Sequence, residues 1–368
     1  MKVGDLVRSL HALDSVELGV ILKGKVTHVK CKEGKDFYTH VLRFNGGGNA
    51  GHTIYHEGKK FVTHYIPAGI FYGIKSVIGN GCAVNVKSFL EEAKMLADAG
   101  FDTSLIKIAS NCHIVTEEHL EEDGKDDKIG TTKRGNGPAY TAKYARTGVR
   151  ACDVPEFEEH IIDLYEEFHS GNDVNILCEG AQGFELDIDW GDYPYVTSSH
   201  CTTDGVSLNC VPPSWIRNVW GVGKVYDTYV GKKDFEPDDL IFQEIRDAGE
   251  EYGATTGRPR QCNWLDLDAL IRAININGVT QVVLNKADVL KEVGAWKLYH
   301  QGELLDFPDY RKMEKFIHNT LCEESALKEQ LKYSFRQGEG HNHQKPKKTG
   351  QFRWHKDMVL FSSSKDKI

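Results

Sequence analysis

A glycine-rich segment that ends in a histidine is the first place where residue types and spacing suggest chemistry. Residues 45–53 read N-G-G-G-N-A-G-H-T, so four glycines precede His52 within a few positions. Glycines let backbone N–H groups crowd around an anion, and histidine is the side chain best suited to exchange a proton near neutral pH. A glycine-rich turn with a surface histidine explains the same residues, so this segment alone is only suggestive.

Two more segments combine glycine with polar side chains. Residues 129–140 (IGTTKRGNGPAY) carry hydroxyl groups and two cations, which suit a phosphate. Residues 178–189 (CEGAQGFELDID) include Gln182, whose amide can read a purine edge with a donor and an acceptor. An ordinary polar loop explains either segment when it is taken alone.

The second half of the chain adds cations and a carboxylate. Residues 253–260 (GATTGRPR) place two arginines beside two threonines, which is typical of an oxyanion site. Residues 285–288 read N-K-A-D directly after an apolar run. A carboxylate at Asp288 can accept both the N1 and the N2 protons of guanine, which adenine does not offer. This segment therefore favours a guanine nucleotide.

These segments need a scaffold, and the apolar periodicity predicts one. Apolar residues repeat at helical spacing over residues 87–98, 153–168 and 265–277. Short apolar runs predict strands at residues 175–178, 222–226 and 279–284. Strands that follow helices repeatedly indicate an α/β fold with a central, mostly parallel β-sheet.

Composition limits the class of protein. The 368 residues carry a formal charge of −9, which argues against general nucleic-acid binding. The sequence contains no apolar run near the ~18–20 residues of a membrane span, and its first residues do not resemble a signal peptide. Nine scattered cysteines without a C-x-x-C pair indicate reduced thiols rather than a disulfide scaffold. We therefore expect a cytoplasmic protein that has neither nucleic acid nor membrane as a partner.

Together the segments identify a family. The patterns G-G-x-N-A-G-H-T, I-G-T-T-x-R-G-x-G-P-A-Y, E-G-A-Q-G-x-x-L-D-I-D and G-A-T-T-G-R-x-R occur in the order of the adenylosuccinate synthetase family. The resemblance runs from about Lys23 to about Leu290. It implies a central parallel sheet flanked by helices with a P-loop-like nucleotide-binding core. We expect an atypical segment at residues 1–22 and a family-like domain at residues 23–368.

The resemblance also implies a reaction. The family joins L-aspartate to the 6-position of IMP, consumes GTP and requires Mg²⁺. Its members are homodimers. The partners expected from the resemblance are therefore IMP, L-aspartate, GTP and a second copy of the chain.

The family's functional residues can be carried over where the motifs match. The resemblance implies catalytic roles for His52 and Gln182 and a backbone carbonyl ligand for Mg²⁺ at Gly51. It implies IMP contacts by Asn49, Ala50, Thr132, Gln182, Thr197, Arg258 and, from the partner subunit, Arg146 of this sequence. It implies an aspartate loop of Ala254, Thr255, Thr256, Gly257 and Arg258. It implies GTP contacts by Lys23, Gly24, Lys25, Arg260, Lys286 and Asp288.

The family pattern is broken at the start of the matching region. The family's phosphate loop reads G-D-E-G-K-G-K, whereas residues 19–25 read G-V-I-L-K-G-K. Val20 stands where the family has the aspartate that acts as base and Mg²⁺ ligand. A related phage branch departs at the same position and aminates deoxyguanylate (dGMP), so that substrate is a second hypothesis. A non-catalytic nucleotide-binding relative is a third, because valine neither accepts a proton nor binds Mg²⁺.

Overall fold

The computed structural model describes residues 16–21, 38–125, 128–171, 174–253, 257–328 and 359–361. A nine-stranded sheet forms its centre. Across the sheet the strands are β10 (Ile161–Ile162), β8 (Ile106–Ala109), β6 (Lys75–Ile78), β2 (His40–Arg43), β11 (Ile176–Glu179), β1 (Val16–Ile21), β12 (Ile216–Lys224), β15 (Gln281–Asn285) and β18 (Val359–Phe361). Each neighbouring pair in this order is parallel. The predicted central parallel sheet is confirmed.

Smaller sheets and helices surround the central sheet. The smaller sheets consist of β3 (Gly46–Gly47), β7 (Cys82–Val84) and β9 (His113–Ile114); of the hairpin β4 (His52–His56) and β5 (Lys59–Thr63); and of β13 (Tyr226–Tyr229), β14 (Gln261–Asp266), β16 (Lys297–His300) and β17 (Glu303–Asp306). The α-helices are α1 (Val86–Asp98), α2 (Glu117–Lys125), α3 (Asn136–Ala145), α4 (Leu164–His169), α5 (Asp204–Ser207), α6 (Ile241–Gly249), α7 (Leu267–Asn277), α8 (Ala287–Val293) and α9 (Tyr310–Glu324). No helix of the described residues is long and apolar enough to cross a membrane.

Two of the predicted helices form where their sequences provide caps. The side chain of Asn85 accepts a hydrogen bond from Ser88 N at the start of α1, and Asp266 accepts one from Ala269 N at the start of α7. Both helices bury the apolar face expected from the periodicity. Helix α7 ends before Gly278, which has the left-handed conformation (φ +59°) common after a helix.

The prediction of one continuous helix over residues 153–168 is wrong. The chain there makes a 3₁₀ helix at Pro155–His160, then strand β10, then the short helix α4. Asp163 starts α4 by accepting from the N–H groups of Tyr165 and Glu166. The apolar pair in β10 joins the edge of the sheet beside β8, so strand pairing outweighs the helical periodicity.

Strand β1 connects the N-terminal segment to the rest of the fold. It lies between β11 and β12, with Leu18 opposite Cys178 on one side and Val219 on the other. The central sheet therefore includes residues from both sides of the division expected between residues 22 and 23. Val20 is a strand residue paired with Gly221.

The parallel arrangement gathers one edge of the sheet into a site. Strands β2, β11, β12 and β15 end at Arg43, Glu179, Lys224 and Asn285. Carboxyl ends of parallel strands lie at the same edge, where ligands of open α/β sheets bind. All four strands thus end in a charged or amide side chain at this edge of the sheet.

Candidate active site

A cavity of about 670 Å³ is lined by Lys224 at the end of β12 and by residues of the segments that follow β2, β11 and β12. Eight of the residues expected at the site line it: Asn49, Ala50, Gly51, His52, Thr132, Gln182, Thr197 and Arg260. Four separate segments of the sequence therefore meet in one cavity.

Close packing explains the glycines before His52. A Cβ at Gly46, whose φ is +83°, would lie 2.9 Å from Gln182 Oε1. A Cβ at Gly48 would lie 2.5 Å from the hydroxyl oxygen of Tyr65. Real Cβ atoms do not approach other atoms so closely, so the glycines let the backbone pass between neighbouring side chains.

His52 is held between two charged side chains that end neighbouring strands. Its Nδ1 lies 2.6 Å from Glu179 Oε1, and Arg43 Nη1 donates to its Nε2 over 2.9 Å. Since arginine only donates, Nε2 accepts and the imidazole proton sits on Nδ1, facing Glu179. Burial would raise the pKa of Glu179, but His52 and the charge of Arg43 outweigh it and hold that pKa below its usual range.

Sequence reasoning missed Arg43 and Glu179. Both are buried and both are the last residue of an apolar strand. A charged residue that closes an apolar run, at the edge where parallel strands end, was the available signal.

Three residues expected to bind the purine nucleotide form a hydrogen-bonded chain. Gln182 Nε2 donates to Asn49 Oδ1 over 2.9 Å, and Asn49 Nδ2 donates to Thr197 Oγ1 over 3.3 Å. Gln182 has a left-handed backbone (φ +62°), and its Oε1 is a buried acceptor with no partner among the described residues. A buried acceptor without a partner is costly, so a ligand that donates to Oε1 would be bound favourably.

The loop expected to bind aspartate is described only in part. Ala254, Thr255 and Thr256 lie outside the described residues, and Gly257 has φ +64°. At the base of the loop, Gly253 N donates to Arg258 O over 2.8 Å.

Arg258 connects this loop to another segment of the site. Arg258 Nη1 donates to Gly130 O over 3.3 Å. This contact brings the loop to residues 129–134, most of which line the cavity.

The residues expected at the guanine end stand beside the cavity rather than in its lining. Lys286 follows β15 with φ +69° and donates from Nζ to Gly249 O over 2.7 Å. Asp288 lies in the first turn of α8. Lys23, Gly24 and Lys25, expected at the phosphates, lie outside the described residues.

Arg146 is exposed at the end of α3, with a left-handed backbone (φ +66°), and does not line the cavity. Its expected contact from a partner subunit stays a prediction.

Among the described residues, one group of side chains is spaced closely enough to hold a metal ion. Its hydrogen bonds show that it stabilises a turn instead. Asp187, Asp189 and His200 bring their ligand atoms within 4.8 Å of one another. Asp187 is fully buried, and its oxygens accept from the backbone N–H groups of Asp189, Trp190 and Cys201. Those hydrogen bonds occupy the carboxylate, so the group is a poor candidate for the metal of this site.

Gly51 offers one backbone carbonyl as a ligand for a magnesium ion. It lines the cavity directly before His52. Mg²⁺ usually takes few protein ligands and completes its octahedron with substrate phosphates and water. The backbone carbonyl of Gly51 is an oxygen donor of the kind the ion accepts, so this residue is compatible with one protein ligand of Mg²⁺.

Comparisons with known proteins agree with the fold and with the family indicated by the motifs. A family profile described as adenylosuccinate synthetase matches residues 22–170 and 155–315. Adenylosuccinate synthetases of Halothermothrix orenii and Shouchella clausii are each 39% identical to this chain, over 78% of it and 80% of the relative. The solved structure of fully ligated adenylosuccinate synthetase from Plasmodium falciparum matches with a TM-score of 0.69 at 30% identity, covering 82% of this chain and 86% of that one.

A second solved structure shows the fold alone. The succinoaminodeoxyadenylate synthetase of cyanophage S-2L, bound to dGMP and to dATP as an energy donor, matches with a TM-score of 0.62 at 21% identity. The match covers 84% of this chain and 100% of that one.

The parallel sheet and the cavity at its carboxyl edge define an α/β enzyme with a P-loop-like nucleotide-binding core. The chain belongs to the adenylosuccinate synthetase family. It is a ligase of purine nucleotide biosynthesis that depends on GTP.

Proposed function

We propose that the cavity binds IMP and L-aspartate and joins them, at the expense of GTP, to form adenylosuccinate. The observation that carries this proposal is the position of His52. It lies in the same cavity as the Gln182–Asn49–Thr197 chain and is oriented by Glu179 and Arg43. A proton-transferring group thus stands beside a purine-reading amide.

The chemistry requires two displacements. The purine loses its N1 proton to water, since Val20 cannot accept it, and its 6-oxygen attacks the γ-phosphorus of GTP, which releases GDP and leaves a phosphorylated oxygen on C6. The aspartate amine then attacks C6, and the C6–O bond breaks to release inorganic phosphate. Catalysis of such a transfer consists largely of positioning and of stabilising charge on the phosphoryl oxygens.

His52 acts at its Nε2 atom in this proposal. Donation of a proton from Nε2 to the transferring phosphoryl group requires that Arg43 release that atom. Glu179 accepts from Nδ1, so a proton that His52 takes up goes to Nε2 and makes both nitrogens donors. Gln182 positions the purine through its unpaired Oε1 and its contact with Asn49.

The remaining expected residues complete the substrate sites. The Gly51 carbonyl would hold Mg²⁺ together with GTP phosphates, and the ion would screen the triphosphate charge. Thr132, Ala50 and Thr197 would contact IMP from the cavity wall. The segment from Ala254 to Arg258 would close on L-aspartate.

At the other end of the site, Arg260, Lys286, Asp288 and the segment from Lys23 to Lys25 would bind GTP.

We further propose a cytoplasmic homodimer in which Arg146 of each chain reaches the IMP phosphate of the other. The exposure of Arg146 supports this arrangement.

The sequence motifs support a second candidate substrate. They align Val20 with the family's base, and the loss of that carboxylate would make room for a purine that carries a 2-amino group. The cyanophage S-2L enzyme is described with dGMP bound. Deoxyguanylate is therefore the alternative acceptor, and a chain that binds nucleotides without turnover is the third outcome to test.

The test is an incubation of purified protein with Mg²⁺, L-aspartate, either GTP or ATP, and either IMP or dGMP, followed by mass spectrometry. A succinyl product from IMP and GTP supports the proposal. A product from dGMP alone selects the second candidate, and binding of both nucleotides without any product selects the non-catalytic alternative.

A further inference from the structure

We propose that Lys224 is an additional cation of the donor site that contacts the triphosphate, and that Glu251 positions it together with Arg260. This inference rests on the proposed function, because it takes GTP as the donor. It adds two residues that neither the sequence motifs nor the family resemblance indicated.

The place of Lys224 in the sheet is the first argument. Lys224 is the last residue of β12, and β12 pairs with β1 so that Val222 lies opposite Ile21. In the sequence, Ile21 stands two residues before Lys23, the first residue of the segment expected to hold the GTP phosphates, and Lys224 lines the cavity. Ligands of open parallel sheets bind outside the carboxyl ends of adjacent strands.

The contacts of Glu251 are the second argument. Lys224 Nζ lies 2.8 Å from both carboxylate oxygens of Glu251 and donates to Thr228 Oγ1 over 2.9 Å. Arg260 Nη1 donates to Glu251 Oε2 over 2.9 Å, and the Tyr226 hydroxyl donates to Oε1 over 2.7 Å. Glu251 is only 1% exposed. One carboxylate therefore fixes two cations that both line the cavity.

The charge of this group is the third argument. Two cations share one carboxylate in these contacts, and burial of Lys224 lowers its pKa to about 8 despite the attraction of Glu251. Buried charge is unfavourable unless it is compensated. A polyphosphate in the cavity would supply the missing negative charge. Because Lys224 Nζ already has three acceptors, a phosphate oxygen would contact it by replacing one of them, Thr228 Oγ1 or an oxygen of Glu251.

Glu251 also connects the donor site to the aspartate loop. Arg260 N donates to the Glu251 carbonyl over 2.9 Å, so these two residues close the base of the loop that contains Gly257. A carboxylate that contacts both cations thus stands at the base of the segment expected to bind the second substrate. We expect its loss to weaken GTP and L-aspartate binding more than IMP binding.

The experiment compares GTP with guanosine, which lacks phosphates, by calorimetry on the full chain with Mg²⁺. Lys224→Met is expected to raise the Kd of GTP by about tenfold or more, since a charged hydrogen bond is lost. The Kd of guanosine is expected to stay unchanged. Lys224→Gln, which can still donate to Glu251 and Thr228, should show the same selective loss with less disturbance of the fold. Glu251→Gln should raise the Kd of GTP and leave that of IMP unchanged.

Lys75→Gln is the matched control, because Lys75 pairs with Glu167 in the same sheet and does not line the cavity. The assignment is overturned if folded Lys224→Gln binds GTP like the unmodified chain, or if its affinities for GTP and guanosine fall equally. If the unmodified chain binds no GTP, the donor site of the proposed function is itself wrong and the assignment falls with it. Normal GTP binding with insensitive variants overturns the assignment alone.

Discussion

Removing the charge of Glu179 should lower turnover without removing the cavity. Glu179→Gln keeps the shape of the side chain but leaves the 2.6 Å contact with His52 Nδ1 uncharged. It also leaves Arg43, which is fully buried, without the carboxylate that lies 3.9 Å from its Nη1. Hydrogen bonds to charged groups contribute about 1.5–3 kcal/mol. If all of that loss falls on the transition state, kcat drops by ~10–150-fold.

The same substitution should change the pH dependence of stability. The pKa of Glu179 is lowered on folding, so its charge stabilises the folded protein above the ordinary carboxyl pKa of about 4.3. That contribution is lost as the pH falls through the lower folded pKa. The Gln variant should be less stable than the unmodified chain at pH 7, and the difference should shrink below pH ~4.

The assay measures kcat and KM for IMP together with urea unfolding at several pH values. Glu167→Gln is the control, since Glu167 Oε1 lies 2.8 Å from His40 Nε2 and neither residue lines the cavity. The control should keep its kcat. An unchanged kcat in folded Glu179→Gln, or an equal loss in both variants, would refute the role of Glu179 in orienting His52.

Three other experiments test separate parts of the site. His52→Ala should lower kcat by ~10²–10⁴-fold with IMP affinity nearly unchanged, as measured by steady-state kinetics and calorimetry; a parallel loss of IMP affinity would indicate a structural histidine. A mixture of Arg146→Leu and Gln182→Ala chains should recover activity if sites are shared across a dimer, whereas no recovery under proven subunit exchange argues against sharing. Gly48→Ala should lower the melting temperature, because its Cβ would lie 2.5 Å from the Tyr65 hydroxyl, and an unchanged temperature would show that the loop adapts.

Much of the scaffold could be predicted from the sequence because local patterns decide it. The apolar run at residues 279–284 became β15 and the capped periodic segment at residues 265–277 became α7. The segment at residues 153–168 has a similar apolar pattern, but Asp163 starts a new helix and β10 pairs with β8. The spacing of apolar residues within one segment does not reveal which distant strand it will pair with, so the prediction of a helix failed there.

The residues of the candidate site could likewise be predicted only in part from the sequence. Motifs pointed to His52, Gln182 and Arg260 because each stands in a glycine-rich segment. The carboxylates that hold His52 and Arg260 are Glu179 and Glu251, and neither was indicated by a motif, because their partners are set by the sheet order. Such partners can be recognised only once the strand ends are placed beside one another.

The most direct test of the ligase account is formation of adenylosuccinate from IMP, L-aspartate and Mg²⁺·GTP by the unmodified chain and by the triple variant Val20→Asp, Ile21→Glu, Leu22→Gly. Because valine cannot serve as base, we expect product from the unmodified chain at a low rate and a rise of ~10²–10⁴-fold in the triple variant. The absence of product from both folded proteins, although IMP and GTP bind, would contradict the account.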